Sequence, residues 1–169
     1  MPMHRIHDEC DRALYQQPSE LRRRDKQTKQ WTSEIGQGLF STMSYKRDEV
    51  IAEFKGTWRS LMEWEEIATK EPWRRAYSII ASEHGDILDC FDHFKKGNCI
   101  ASYSNSPIAC IDLTTNTKAV ANARIKVSGK RIFLVCGVNK VGSRSPKHFV
   151  LQPHKEILWN YESSFISYT

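Results

Sequence analysis

The stretch Gly97-Asn98-Cys99-Ile100-Ala101-Ser102-Tyr103-Ser104-Asn105-Ser106-Pro107, GNCIASYSNSP (97–107), decides how the rest of the chain is read. Gly97-Asn98 marks one turn and Asn105-Ser106-Pro107 another. The small, cysteine-bearing and hydroxyl-bearing residues between them fit neither an amphipathic helix nor an alternating strand. Such a segment either threads close to other backbone or a ligand, or is an ordinary surface connection, and its own composition leaves both readings open.

Its surroundings narrow the choice. The 169-residue chain is long enough for one domain with a sizeable core, and 40% hydrophobic with 27% charged residues is the balance of a water-exposed globular protein. No apolar run approaches the ~20 residues that span a bilayer, and the start, MPMHRIHDEC (1–10), has no apolar segment after its basic residues. The expectation is an intracellular protein without membrane association. Cys10, Cys90, Cys99, Cys110 and Cys136 are odd in number and widely spaced, which suits free thiols. His4 and His7, or His84 and His93, lack a Cys or carboxylate set at ligand spacing, so no structural zinc and no metal site is expected.

Twenty-five basic against twenty acidic residues give a formal charge of +5, a mild bias toward acidic partners. From 140 to 155 the chain carries Lys140, Arg144, Lys147, His148, His154 and Lys155 and no acid, so this loop is a candidate contact for an acidic partner. Residues 1–30, with LRRRDKQTKQ at 21–30, show no sustained apolar period and read as a polar arm, leaving 31–169 as the folded domain.

Within that domain Val50–Phe54 reads as a strand stopped by Gly56. SLMEWEEIATKEPW (60–73) reads as a helix, with Ser60 and Glu63 at capping-box spacing, Leu61, Trp64, Ile67 and Ala68 on one face, and Pro72 ending it. AYSIIA (76–81), DILDCF (86–91), NARIKV (122–127), RIFLVCGV (131–138) and EILWNY (156–161) are strand candidates. Many short strands with one clear helix predict a mainly β fold, and the lack of βαβ alternation excludes a Rossmann reading of Gly36-Gln37-Gly38. Alone, that Gly-x-Gly is a tight turn entering a strand or a place of close backbone approach to a ligand.

The order of segments carries more than any one of them. IGQGLFS (35–41), VIAEFKG (50–56), ILDC (87–90) followed by GNCIASYSNSP, Asn122-Ala123, RIFLVCGV and EILWNYE (156–162) resemble, in sequence, the opening Gly-x-Gly, the I-x-E-Y-x-G strand, the I-D-A and G-N-x-A-R-F-I-N-H-S segments, the Pro-Asn-Ala, the R-I-x-I-F-A strand and the E-E-L-x-Y-D-Y-G of the SET-domain protein-lysine methyltransferases.

The resemblance runs from about Trp31 to Tyr161 and implies a SET-type, β-clip-like fold of several small sheets, in which 97–107 threads beneath the C-terminal strand in a knot-like arrangement. It implies a protein-lysine N-methyltransferase that uses S-adenosylmethionine, with histone or another lysine-bearing protein as substrate and the nucleus before the cytoplasm as its place. Tyr161 then corresponds to the catalytic tyrosine. Gly36, Gln37, Gly38, Ser104 and Asn105 correspond to cofactor contacts, mostly through backbone. Tyr77, Trp159 and Phe165 are candidates for an aromatic lysine channel.

The departures bear on function. Anchored on Gly97-Asn98, Ser104-Asn105-Ser106 stands where the family has Asn-His-Ser; anchored on Pro107, Ser102-Tyr103-Ser104 would. The first alignment needs no gap and keeps a carboxamide at the pocket. Phe54 replaces a Tyr, Trp159 stands where the family has Phe or Tyr, and Val141 to Pro153 lengthens a turn. An inactive SET-like interaction module is the alternative that these departures motivate. A nucleic-acid-binding protein using Arg22 to Lys29 and the 140–155 loop ranks last, because no aromatics are interleaved with those cations along the chain.

Overall fold

The computed structural model describes residues 12–25, 27–31, 35–81, 85–139 and 144–161. Among them the chain is mainly β, in several small antiparallel sheets. The central sheet joins β5 (Val50–Phe54), β12 (Arg131–Cys136) and β11 (Ala123–Ser128), with Leu134 opposite both Ala52 and Ile125. β12 is buried from Ile132 to Cys136, which is why RIFLVC is a continuous apolar run, whereas the neighbouring β11 alternates toward solvent.

A second sheet orders β6 (Thr57–Arg59), β8 (Asp86–Asp89) and β7 (Ser78–Ala81). Against it packs α1 (Leu61–Lys70), which buries Trp64 and Ala68 on Ile87. Ser60 caps α1 by accepting the Glu63 N–H at 3.2 Å, as its spacing predicts, while the Glu63 carboxylate turns to Arg59 at 3.1 Å. Leu61, expected on the buried face, is 56% exposed in the first turn, beyond the reach of the sheet. Pro72 does not simply end the helix. It starts a 3-10 segment, Pro72–Tyr77, which takes Ala76 and Tyr77 out of the strand expected there. α2 (Phe91–Lys95) follows β8 directly.

The polar-arm reading of 1–30 needs correction over Leu14–Arg23, while residues 1–11 lie outside the described residues. β1 (Leu14–Pro18) pairs along its length with β3 (Gln37–Ser41), and β2 (Leu21–Arg23) pairs with β9 (Cys110–Asp112), which in turn holds β10 (Thr117–Lys118). Leu14 and Leu21 are core residues. Each strand buries few apolar side chains, too few to give a visible period, and long-range pairing supplies the rest. The 140–155 segment is likewise not all loop, because β13 (Val150–Leu151) pairs with β4 (Tyr45–Lys46). Lys140 and Val141, named with that segment, lie outside the described residues.

The expected strand EILWNY is reduced to two single bridges. Leu158 pairs in parallel with Asn105, and Trp159 in parallel with Ala123. Residues 157–159 therefore lie between the 104–106 segment on one side and 122–123 on the other. Asn122 fixes this crossing. Its carboxamide donates to the Glu156 carbonyl and accepts the Leu158 N–H, both at 2.9 Å, while its own N–H goes to the Leu158 carbonyl. The small residues of 97–107 have their reason here, since Ala101, Ser104 and Ser106 are buried where chain segments pass one another.

Candidate active site

Tyr161 follows the 157–159 crossing, and its hydroxyl donates to the backbone carbonyl of Ser104. Burial pushes its phenol well above the usual range, with the nearby Tyr77 and Glu156 adding to the effect and Arg23 opposing it. The group thus stays protonated and remains a donor. Ser104 serves both aromatic residues of this segment, because its hydroxyl accepts the Trp159 Nε1–H at 2.9 Å and donates to the Ala101 carbonyl at 2.6 Å. The Trp159 ring lies 4.7 Å from that of Tyr161 and meets Phe54 edge-on at 5.7 Å. Trp159 is buried, so its indole forms the floor beneath Tyr161.

Tyr77 belongs to a second aromatic group. It stacks on Phe94 at 4.5 Å and tilts against Phe91 at 5.5 Å, and Phe94 meets Tyr103 edge-on at 4.9 Å. These rings stand on the 3-10 segment Pro72–Tyr77, on α2 and on a second 3-10 turn, Ile100–Tyr103. The sequence pointed to Tyr77 only through resemblance; Phe94 and Tyr103 had no such signal. Phe165 lies outside the described residues.

The glycine turn and the 104–106 segment are joined by Asn105. Its amide donates to the Gln37 carbonyl at 2.9 Å and to the Glu156 carboxylate at 3.1 Å, and its carbonyl accepts the Trp159 N–H at 3.1 Å. Glu156, buried, also receives the Ser19 hydroxyl at 2.8 and 3.0 Å and the Glu20 N–H at 2.8 Å. Every hydrogen aimed at it comes from a neutral donor, so the carboxylate places negative potential directly under the Gln37–Gly38 turn.

The two glycines differ in role. Gly38 has no room for a side chain, because a Cβ there would stand 2.5 Å from Glu156 Oε2. At Gly36 the demand is conformational: its φ is +108°, and among the described residues nothing lies within 4 Å of where a Cβ would be. Sequence reading quoted Glu156 inside a motif without giving it a role, and passed over Ser19. A lone Ser between two short strands gives no pattern to read.

Cys99 opens the Ile100–Tyr103 turn and takes the Lys55 N–H at 3.3 Å and lies 3.2 Å from the Ser102 hydroxyl. A hydrogen bond from Cys90 favours its thiolate, and the same bond together with burial pushes the Cys90 thiol up. Both cysteines belong to the main hydrophobic core, Cys99 from within the 97–107 segment.

Small antiparallel sheets, with a C-terminal segment held between residues 104–106 and 122–123, define a SET-like fold. The crystal structure of CpSET8 from Cryptosporidium is similar to this chain with a TM-score of 0.50 at 15% identity, over 85% of this chain and 58% of that one. The chain therefore spans under two thirds of that protein's length. No family model matches the sequence, and no curated protein is found similar to it.

Proposed function

We propose that this chain is an S-adenosylmethionine-dependent protein-lysine N-methyltransferase. The observation that carries the reading is the convergence of Tyr161, Trp159 and Asn105 on one crossing of the chain, at Ser104–Asn105, directly beside the Gly36–Gly38 turn. The residues fit the cofactor: the open backbone at Gly36 permits close approach, and the Glu156 carboxylate beneath the turn suits a cationic group. Gly36 and Gln37, with Ser104 and Asn105, would hold it. Gly38, proposed with them through its backbone, also makes the room that the Glu156 carboxylate occupies. When bound, the cofactor supplies a methyl group activated by a sulfonium.

The chain's own residues then have three tasks. Tyr161 orients the lysine nitrogen, its hydroxyl fixed in place by donation to the Ser104 carbonyl. The rings of Tyr77, Phe94 and Tyr103 present apolar faces that desolvate a lysine and favour its neutral, nucleophilic form. Aromatic faces also hold a methylated ammonium by cation–π attraction. The substrate is a lysine-bearing protein, histone being the family's usual one. The exposed cations Arg144, Lys147 and Lys155 are where an acidic stretch of a partner would lie. A nuclear location goes with this reading.

Calorimetric titration with S-adenosylhomocysteine, on the parent and on Tyr161→Phe, tests it. Binding by both, with methyl transfer to histone or lysate proteins falling about a hundredfold or more in the variant, supports the enzyme and the role of Tyr161. No binding by a well-folded parent would sink the reading in favour of an interaction module, the outcome that the Ser104-Asn105 departure favours.

A further inference from the structure

We infer that the outer face of the β2–β9–β10 sheet binds single-stranded nucleic acid. In its register Ile111 stands opposite Arg22 on one side and Lys118 on the other, so these three side chains leave the same face of the sheet. The next row, Leu21, Asp112 and Thr117, faces the other way, where Leu21 and Cys110 close a small second core with Ala119 and Leu158. Beyond Arg22 the ladder continues. The Arg24 N–H reaches the Ala109 carbonyl at 3.4 Å, and Arg24 pairs with Trp31 on its free side.

Arg24 and Trp31 form the centre of the face. The Arg24 Nε donates to the Lys29 carbonyl at 3.1 Å, which holds the guanidinium 5.8 Å above the indole centroid, and Trp31 is 45% exposed. A shallow groove of about 540 Å³ runs over Arg24, Lys29, Trp31, Ile111 and Lys118, and among the described residues Asp25 is the one acid that lines it. Asp25 is engaged in its own turn, accepting the Gln27 and Thr28 N–H groups at 2.8 Å.

Cations beside an exposed flat ring are what a single strand requires, since phosphates meet the charges and an unpaired base stacks on the indole. A duplex would need an element able to enter a groove, and these strands are two or three residues long. Between Arg22 and Lys29 the sequence has no aromatic residue; Trp31 follows two residues later, folds back to pair with Arg24, and the sheet brings in Lys118 from 87 residues further along. None of the residues surrounding Tyr161 takes part, so this inference stands apart from the methyl-transfer reading.

The test is fluorescence anisotropy of labelled oligo-dT and oligo-U, and of a duplex of equal length, against the full chain over a range of salt. Tighter binding of single strands is expected, with log affinity falling against log salt by about 0.7 per phosphate neutralised. Trp31→Ala should weaken binding roughly tenfold at every salt concentration while keeping the slope, and Trp31→Phe should retain most of the affinity. Lys118→Ala and Lys29→Ala should each flatten the slope by about 0.7. Circular dichroism and melting temperature check that each variant is folded. Binding by the folded Trp31→Ala variant at parental strength would overturn the proposal, as would duplex or anionic phospholipid vesicles held as tightly as the single strands, or no binding at low salt.

Discussion

Trp159 donates its indole N–H to the hydroxyl of Ser104 at 2.9 Å, with both residues buried at the crossing of two chain segments. The Ser104 hydroxyl passes its own proton to the Ala101 carbonyl, so the two bonds polarise one another. Ser104→Ala leaves a buried indole N–H without an acceptor, at a cost of about 1–3 kcal/mol. Trp159→Phe removes the donor together with the ring edge that packs on Phe54. A double-mutant cycle read by urea unfolding should show the second substitution costing less once the first is present. Strict additivity would mean that the bond contributes nothing to stability.

Gly38 and Glu156 form a steric pair. In Gly38→Ala the new methyl would stand 2.5 Å from Oε2 of a carboxylate that Ser19, Glu20 and Asn105 hold in place, so it cannot swing aside without breaking those bonds. The expected loss is about 1–3 kcal/mol, as for other overpacked sites. In a Glu156→Ala background the same substitution should become nearly neutral, although that background is itself destabilised by the unpaired Ser19, Glu20 and Asn105 donors. Chemical unfolding of the four proteins gives the comparison. An equal penalty in both backgrounds would place the clash elsewhere.

These two pairs also show what sequence could deliver. The central strands and α1 were legible because their patterns are local: a capping serine three residues before Glu63, and an unbroken apolar run in β12. The SET-like architecture was legible as an order of short motifs, although few of them are strong alone. Strands β1 and β2 were not legible, since Leu14 and Leu21 gain their burial by pairing with Ser41 and Asp112, 27 and 91 positions away. Glu156 was hidden for a related reason. A carboxylate looks solvent-exposed in sequence until Ser19, Glu20 and Asn105 are brought around it.

Asp89 gathers a cationic cluster behind the aromatic wall. Its Oδ2 takes Arg59 Nε at 2.9 Å and Arg74 NH1 at 3.2 Å, and its Oδ1 takes the Phe91 N–H at 3.2 Å. Arg74 in turn reaches Asp92 at 3.0 Å, bridging the 3-10 segment to α2, and lies 4.9 Å over the Phe91 ring. Asp89→Ala removes a buried acid, leaving Arg59 to Glu63 and Arg74 to Glu71 and Asp92, at a cost of about 1–3 kcal/mol. Because Phe91 and Phe94 ride on α2, methyl-transfer activity should fall with stability. A folded variant with parental melting temperature would show that the cluster is not needed to seat the helix.

The alkaline limit of stability follows from Cys136. Burial in the central strand pushes its thiol up to about 11, against 9.0 for an unhindered thiol. Folding therefore keeps it neutral where the unfolded chain would ionise. The sign is that of a raised pKa. The stability is fully present below pH 9, and is lost as pH rises from about 9 to about 11, because only the unfolded state gains by releasing the proton. Two pH units correspond to on the order of 3 kcal/mol. Tyr161, held neutral by burial, adds a loss of the same sign above the ordinary tyrosine range. Melting temperatures measured from pH 7 to 11 should fall through this window. Cys136→Ala should start from a lower value, having lost core packing, and fall less steeply between pH 9 and 11. A variant that loses stability as steeply as the parent would show that the fold does not hold the Cys136 thiol neutral.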